Sequence, residues 1–179
     1  MRGTIIRLEN FPMKLLSGGQ SGVDRAVLDV ALARGLDYGG WCPKGGWGED
    51  FPKAPGLLAK YPKLRETPLA DPAQRTEWNV RDADACLILV DTGGAEASAG
   101  TMLACDLAHR YRKPLQIVDL REPDILARAA SWLRAQQTKH GSGFMLAIGG
   151  PRESEAPGIH RRASRFIGAL LDAKSALLT

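Results

Sequence analysis

Three times along this chain a short apolar run breaks at a glycine-rich turn and resumes as an amphipathic helix. Met13 to Leu16 leads into SGGQSG, after which Val23, Ala26, Val27, Val30 and Ala31 recur at helical spacing. Ala85 to Val90 leads into DTGGAEASAGT and a helix with Leu103, Leu107 and Ala108 inward. Phe144 to Ile148 leads into GGPRESEAPG, and Ile159, Ala163, Phe166, Ile167, Leu170 and Leu171 define the last helix. Continuous apolar runs of this length suit parallel strands buried on both faces. Their alternation with helices predicts an α/β fold, a three-layer Rossmann-like sandwich with a mostly parallel sheet and helices on both faces.

The intervening stretches complete that pattern. Gly35 is placed to end the first helix, and Tyr38 to Trp41 reads as a short second strand. Residues 42–70, rich in Pro, Gly and Lys, read as a long surface excursion with at most short helical pieces. Asp71 and Pro72 supply an N-cap and a first-turn proline for a helix carrying Gln74, Arg75, Glu77 and Asn79 and ending near Asp82. Leu115 to Val118 repeats the buried-strand pattern, and Ile125, Leu126, Ala129, Trp132 and Leu133 mark a further helix. With 179 residues the chain builds one core. Residues 1–12, before Met13, are read as an extension outside the core, and 13–179 as a single ligand-binding domain.

No apolar run approaches the roughly 20 residues needed to cross a bilayer, and the first residues lack the pattern of a secretion signal. Three cysteines without CxxC spacing argue against a disulfide framework or a structural zinc, and for a reducing, cytoplasmic setting. The net charge of +4 suits an anionic ligand, but the basic residues are scattered, so nucleic acid ranks last among partners.

In open parallel sheets the ligand crevice lies beyond the carboxyl ends of the strands, where strand-to-helix turns meet. Ser17, Gly18, Gly19, Gln20, Ser21 and Gly22 allow close backbone approach, and the following helix start, opened by Asp24, attracts an anion. Thr92, Gly93, Gly94, Gly100 and Thr101 at the second turn, and Gly149, Gly150 and Arg152 at the third, are expected to share that site. Lys44, Arg75, Arg81 and Arg152 are candidate phosphate clamps, with Asn79 beside them. The turns match neither a Walker A loop nor a GxGxxG fingerprint.

Catalytic signals are weak by comparison. Glu77, Asp91, Asp106 and Glu153 are the carboxylates nearest the expected crevice, yet no pair has the spacing of a general acid and base. His109, His140 and His160 are isolated, so no metal site is expected. Cys42 is read as packing rather than as a reactive thiol, Cys86 and Cys105 as core, and Trp41, Trp47 and Trp78 as packing anchors or ring-stacking surfaces.

The blocks SGGQSGVDRA, GGWCPKG, GED, YPKLRETP, QRTEWNVRDADACLILV and GGPRESEAPGI, in this order from Met13 to Leu171, resemble the molybdenum-cofactor-carrier-like family. That family is similar to the lysine-decarboxylase-like, cytokinin-activating phosphoribohydrolases within one Rossmann-like (SLOG) superfamily. The resemblance implies a pocket lined by the first turn from Gly18 to Asp24, the second around Gly93, Gly94, Gly100 and Thr101, and the third from Gly149 through Glu153 to Ser154, and a role in binding molybdenum cofactor, a related phosphorylated pterin or a nucleotide. Where the phosphoribohydrolases carry Gly-Thr followed three residues later by glutamate, this chain has Gly100, Thr101 and Ala104, with Asp106 two residues further on. That departure argues against N-glycosidic hydrolysis.

The leading expectation is therefore a binding or carrier protein for a small phosphorylated ligand, working as a homo-oligomer. Two alternatives remain open: a nucleotide hydrolase using Glu77, Asp106 or Glu153, and a nucleotide-sensing domain.

Overall fold

The protein is described from a computed structural model, which covers residues 12–176; the extension expected before Met13 lies outside the described residues except for Pro12. Strands are β1 (Met13–Leu16), β2 (Tyr38–Gly39), β3 (Trp41–Cys42), β4 (Arg65–Glu66), β5 (Ala85–Val90), β6 (Leu115–Asp119) and β7 (Phe144–Gly149). Helices are α1 (Val23–Arg34), α2 (Leu57–Lys60), α3 (Pro72–Asp82), α4 (Ala99–Arg110), α5 (Ile125–His140) and α6 (Ile159–Ala176).

Five strands form a sheet in the order β2-β1-β7-β5-β6, every pairing parallel, so the last strand lies at the centre. Helices α1, α5 and α6 pack on one face and α3 with α4 on the other, which is the three-layer α/β sandwich expected. Alternation along the strands divides the core. Ala85, Leu87 and Leu89 of β5 join Phe144, Leu146 and Ile148 of β7 in a large cluster with α1, α5 and α6. Cys86, Ile88 and Ala147 face the other way, into two smaller clusters with α3 and α4. The α3/α4 face is thus built from smaller side chains and is less completely filled.

Helix ends follow local chemistry. Gly35 terminates α1 in the left-handed conformation, φ 62°, its N–H reaching the Ala31 and Leu32 carbonyls. Asp71 caps α3 by accepting from the Ala73 N–H at 2.9 Å, with Pro72 in the first turn.

Three elements differ from expectation. The run Tyr38 to Trp41 is broken at Gly40, φ 123°, where a side chain would collide with the Ser17 carbonyl; β2 pairs with β1 while β3 leaves to pair with β4. The excursion 42–70 contains α2, a short helical piece of the kind expected, and also β4, a strand too short to give a periodic signal. Strand β6 is an edge strand with Ile117 43% exposed, because burial there depends on sheet order rather than on composition.

Candidate functional site

Between α3 and α4, at the carboxyl ends of β1, β5 and β7, the sandwich encloses a cavity of about 300 Å³, the lower end of the usual range for ligand pockets. Its walls bring together Ser17, Gly18, Gln20 and Asp24 from the first turn, Gly100 and Thr101 from the second, Gly149, Gly150 and Arg152 from the third, and Arg75 and Asn79 from α3. Gly19, Ser21, Gly22, Lys44, Thr92, Gly93, Gly94, Glu153 and Ser154 lie outside this lining.

The first turn is organised around an ion pair. Arg75 reaches from α3 across Gly18 and donates from Nη1 to Asp24 Oδ2 at 2.7 Å. A Cβ at Gly18 would collide with that guanidinium, which explains the glycine by side-chain passage rather than by ligand approach. Both partners are substantially buried, their side chains 15% and 7% exposed. Burial pushes the Asp24 carboxyl above its usual range and outweighs the opposing pull of Arg75. Ser17 donates to the Asp24 carbonyl at 2.8 Å, and Gln20 Oε1 accepts from the N–H groups of Ser21 and Glu49 at 3.0 and 2.8 Å.

At the second turn the polar contribution comes later in the chain than TGG. The Gly94 N–H closes a turn onto the Asp91 carbonyl at 2.9 Å, and a 3-10 turn at Ala95–Ala97 separates Thr92, Gly93 and Gly94 from α4. Ser98 then caps α4, its hydroxyl accepting from the Thr101 N–H at 3.3 Å. This cap had a readable signal, a serine directly before a helix start, that the glycine pattern masked. Thr101 is 2% exposed and its Oγ1 has no protein partner; Arg75 Nε is likewise buried and unpartnered. Buried polar groups are seldom left unsatisfied. Here two such groups lie in the walls of one cavity.

The third turn is held against the first by Glu49, from the excursion. Ser21 Oγ donates to Glu49 Oε1, Ser154 Oγ donates to Oε2 at 2.7 Å, and the Glu153 N–H reaches Ser21 Oγ at 3.1 Å. Burial pushes the Glu49 carboxyl up, but the hydrogen bonds from Ser21 and Ser154 win and hold it below the usual range. Ser21, Glu153 and Ser154 are thus committed to joining two turns. Gly22 belongs to the same junction, since a Cβ there would collide with the Pro151 carbonyl. Arg25 and Asp50 add a bidentate pair at 2.7 and 2.9 Å, with Arg25 also donating to the Gly19 carbonyl. Glu49 and Asp50 carried no periodic signal, and stood out in the sequence only as the GED block of the family resemblance.

Other candidates occupy structural roles. Asn79 lines the cavity, yet its amide clasps Trp41: Oδ1 accepts from the Trp41 N–H, and Nδ2 donates to the Trp41 and Arg75 carbonyls, each at 2.9 Å. Lys44 is exposed, and Arg81 pairs with Asp82 while stacking over Trp78. Glu77 accepts from Tyr111 at 2.6 Å, Asp106 is exposed on α4, and Glu153 caps the start of α6. Asp91 pairs with Arg162. His160 contacts Asp29 at 2.9 Å, His140 packs on Phe144, and His109 is exposed near the end of α4. Trp41 and Trp78 pack edge to face, whereas Trp47 lines the cavity. Burial pushes the Cys42 and Cys86 thiols up to about 11 and about 12, so both stay protonated at neutral pH.

Comparison with known proteins gives a consistent picture. The model of the circularly permutated YpsA SLOG family matches residues 15–171. A crystal structure from Syntrophus aciditrophicus SB, described as a "Putative molybdenum carrier protein", is 34% identical with a TM-score of 0.75, over 89% of this chain and 95% of that one. No curated protein matches this chain.

Proposed function

The chain belongs to the circularly permutated YpsA SLOG family, and from that membership we propose that its cavity binds a small phosphorylated ligand for carriage rather than for chemistry. The observation that carries this reading is the pair of buried, unpartnered polar atoms, Thr101 Oγ1 and Arg75 Nε, on two residues that line one cavity. A helix of 12 residues brings the positive end of its dipole there, its Thr101 N–H already taken by Ser98, and Arg75, paired with Asp24 through Nη1, keeps Nε as a donor. A phosphate oxygen supplies the acceptor that the Thr101 hydroxyl and Arg75 Nε each lack.

The finer reading is a phosphorylated pterin, the organic part of molybdenum cofactor, or a nucleotide; it is supported by the description of the Syntrophus relative. The described residues include no group of three His, Cys, Asp or Glu side chains able to hold a metal. A molybdenum-bearing cargo would accordingly be held through its phosphate and ring. Asp24, the carboxylate in the lining, is occupied by Arg75, and Glu77, Asp106 and Glu153 stand outside it. Titration calorimetry with a phosphorylated pterin and a panel of nucleoside monophosphates tests the proposal. Saturable binding that weakens in Thr101→Val and Arg75→Ala is expected; no binding across the panel overturns it.

A further inference from the structure

The two unpartnered polar atoms of the cavity belong to Thr101, in the first turn of α4, and to Arg75, in the first turn of α3. Below them the strand register sets a second level: Leu16 and Cys86 both pair with Ala147, two residues before the Ile88 and Gly149 pair at the rim, a drop of about 6 to 7 Å. Val80 of α3 and Ala104 of α4, about one helical turn past Thr101, close the same level together with Leu103.

These six side chains offer a ligand no carboxylate, amide, hydroxyl or cation. The polar groups adjoining them are already used: the Asn79 amide clasps Trp41, and Thr76 Oγ1 donates to the Pro72 carbonyl at 3.1 Å. The backbone N–H and C=O groups of β1, β5 and β7 are engaged in the parallel ladders. Even the Cys86 thiol is held protonated by burial. A purine or pterin edge pushed to this depth would lose its water without gaining partners, at a cost of roughly 1–3 kcal/mol for each polar group.

We infer that the ligand carries a hydrocarbon group opposite its phosphate, seated among Leu16, Val80, Cys86, Leu103, Ala104 and Ala147. This rests on the phosphate reading and narrows it, since any hydrogen-bonding ring of the ligand then stays at the level of Gln20, Trp47 and Ser98. Specificity is divided by depth: the rim selects the anion and the floor selects the tail.

A ladder of n-alkyl phosphates from methyl to hexyl, titrated calorimetrically into the full chain, tests this directly. Affinity is expected to rise about fourfold for each methylene that reaches the floor, then level off. Ala104→Leu fills the floor from α4 and is expected to flatten the ladder, so that hexyl phosphate loses its advantage over methyl phosphate. A flat ladder in the unaltered chain, with methyl phosphate still bound, overturns the hydrocarbon inference and leaves the phosphate reading standing. No binding of any ester, methyl phosphate included, overturns both. A nucleoside monophosphate without a hydrocarbon substituent that outbinds hexyl phosphate, and is expelled by Ala104→Leu, also overturns the inference.

Discussion

Thr101 separates binding from stability in a way few residues of this chain do. Its hydroxyl has no protein partner, so Thr101→Val, which keeps the shape, is expected to leave the urea midpoint nearly unchanged. On the proposed function the same change removes a hydrogen bond to the phosphate, and binding is expected to weaken about tenfold by calorimetry. Gly150 behaves in the opposite sense. A Cβ there would collide with the Leu89 carbonyl and approach Val23 Cγ2 to 2.7 Å, contacts that neither backbone nor helix can easily relieve. Gly150→Ala is expected to cost about 1–3 kcal/mol in urea unfolding before any ligand is added. One glycine motif thus conceals different reasons: Gly18 leaves room for Arg75, Gly150 for a neighbouring strand and helix.

The element that contributes most of the cavity's polar wall is α3, which carries Arg75, Thr76, Asn79 and Val80 into the lining. Its lower half is tied to β3 by the Asn79 amide, by the Trp41 and Trp78 edge-to-face contact at 4.6 Å, and by the Trp41 Nε1 donation to Asp82 at 2.7 Å. Asn79→Ala deletes three hydrogen bonds, and a loss on the order of 2 kcal/mol is expected, together with weaker ligand binding as α3 loosens. On the opposite face Asp29 joins α1 to Lys60 and Tyr61 at 2.9 and 2.6 Å and to His160 of α6 at 2.9 Å. Burial raises its carboxyl, but the hydrogen bonds from Tyr61, Lys60 and His160 outweigh burial and hold it below the ordinary value. A depressed folded value means that the stabilisation is present above the unfolded pKa and fades as pH falls through the folded one. Asp29→Asn is therefore expected to be destabilising at pH 7, on the order of 1 kcal/mol, with the difference from the unaltered protein shrinking below about pH 4 in denaturation series.

At the scale of the whole molecule a ligand held between two helices and the sheet couples binding to global stability. If the cavity is the binding site, a phosphorylated ligand at a hundredfold excess over its Kd is expected to add about 2.7 kcal/mol, read as a rise in Tm that Thr101→Val reduces. Much of this architecture was legible in the chain. The buried strand Ala85 to Val90, the Asp71-Pro72 helix start and the Gly35 stop rest on local chemistry, which acts over a few residues and leaves its mark in composition and spacing. The convergence of the first and third turns was also foreseeable, because parallel strands share one carboxyl edge. What no periodicity encodes is which strand neighbours which: only the tertiary structure placed β7 between β1 and β5 and left β6 at the edge. The same holds for Arg75 reaching Asp24 across 51 positions and for Glu49 stitching two turns together. Those contacts depend on long-range packing, in which a single polar side chain meets its partner through the fold, so sequence determined the frame and the turns while packing decided which of their atoms remained free.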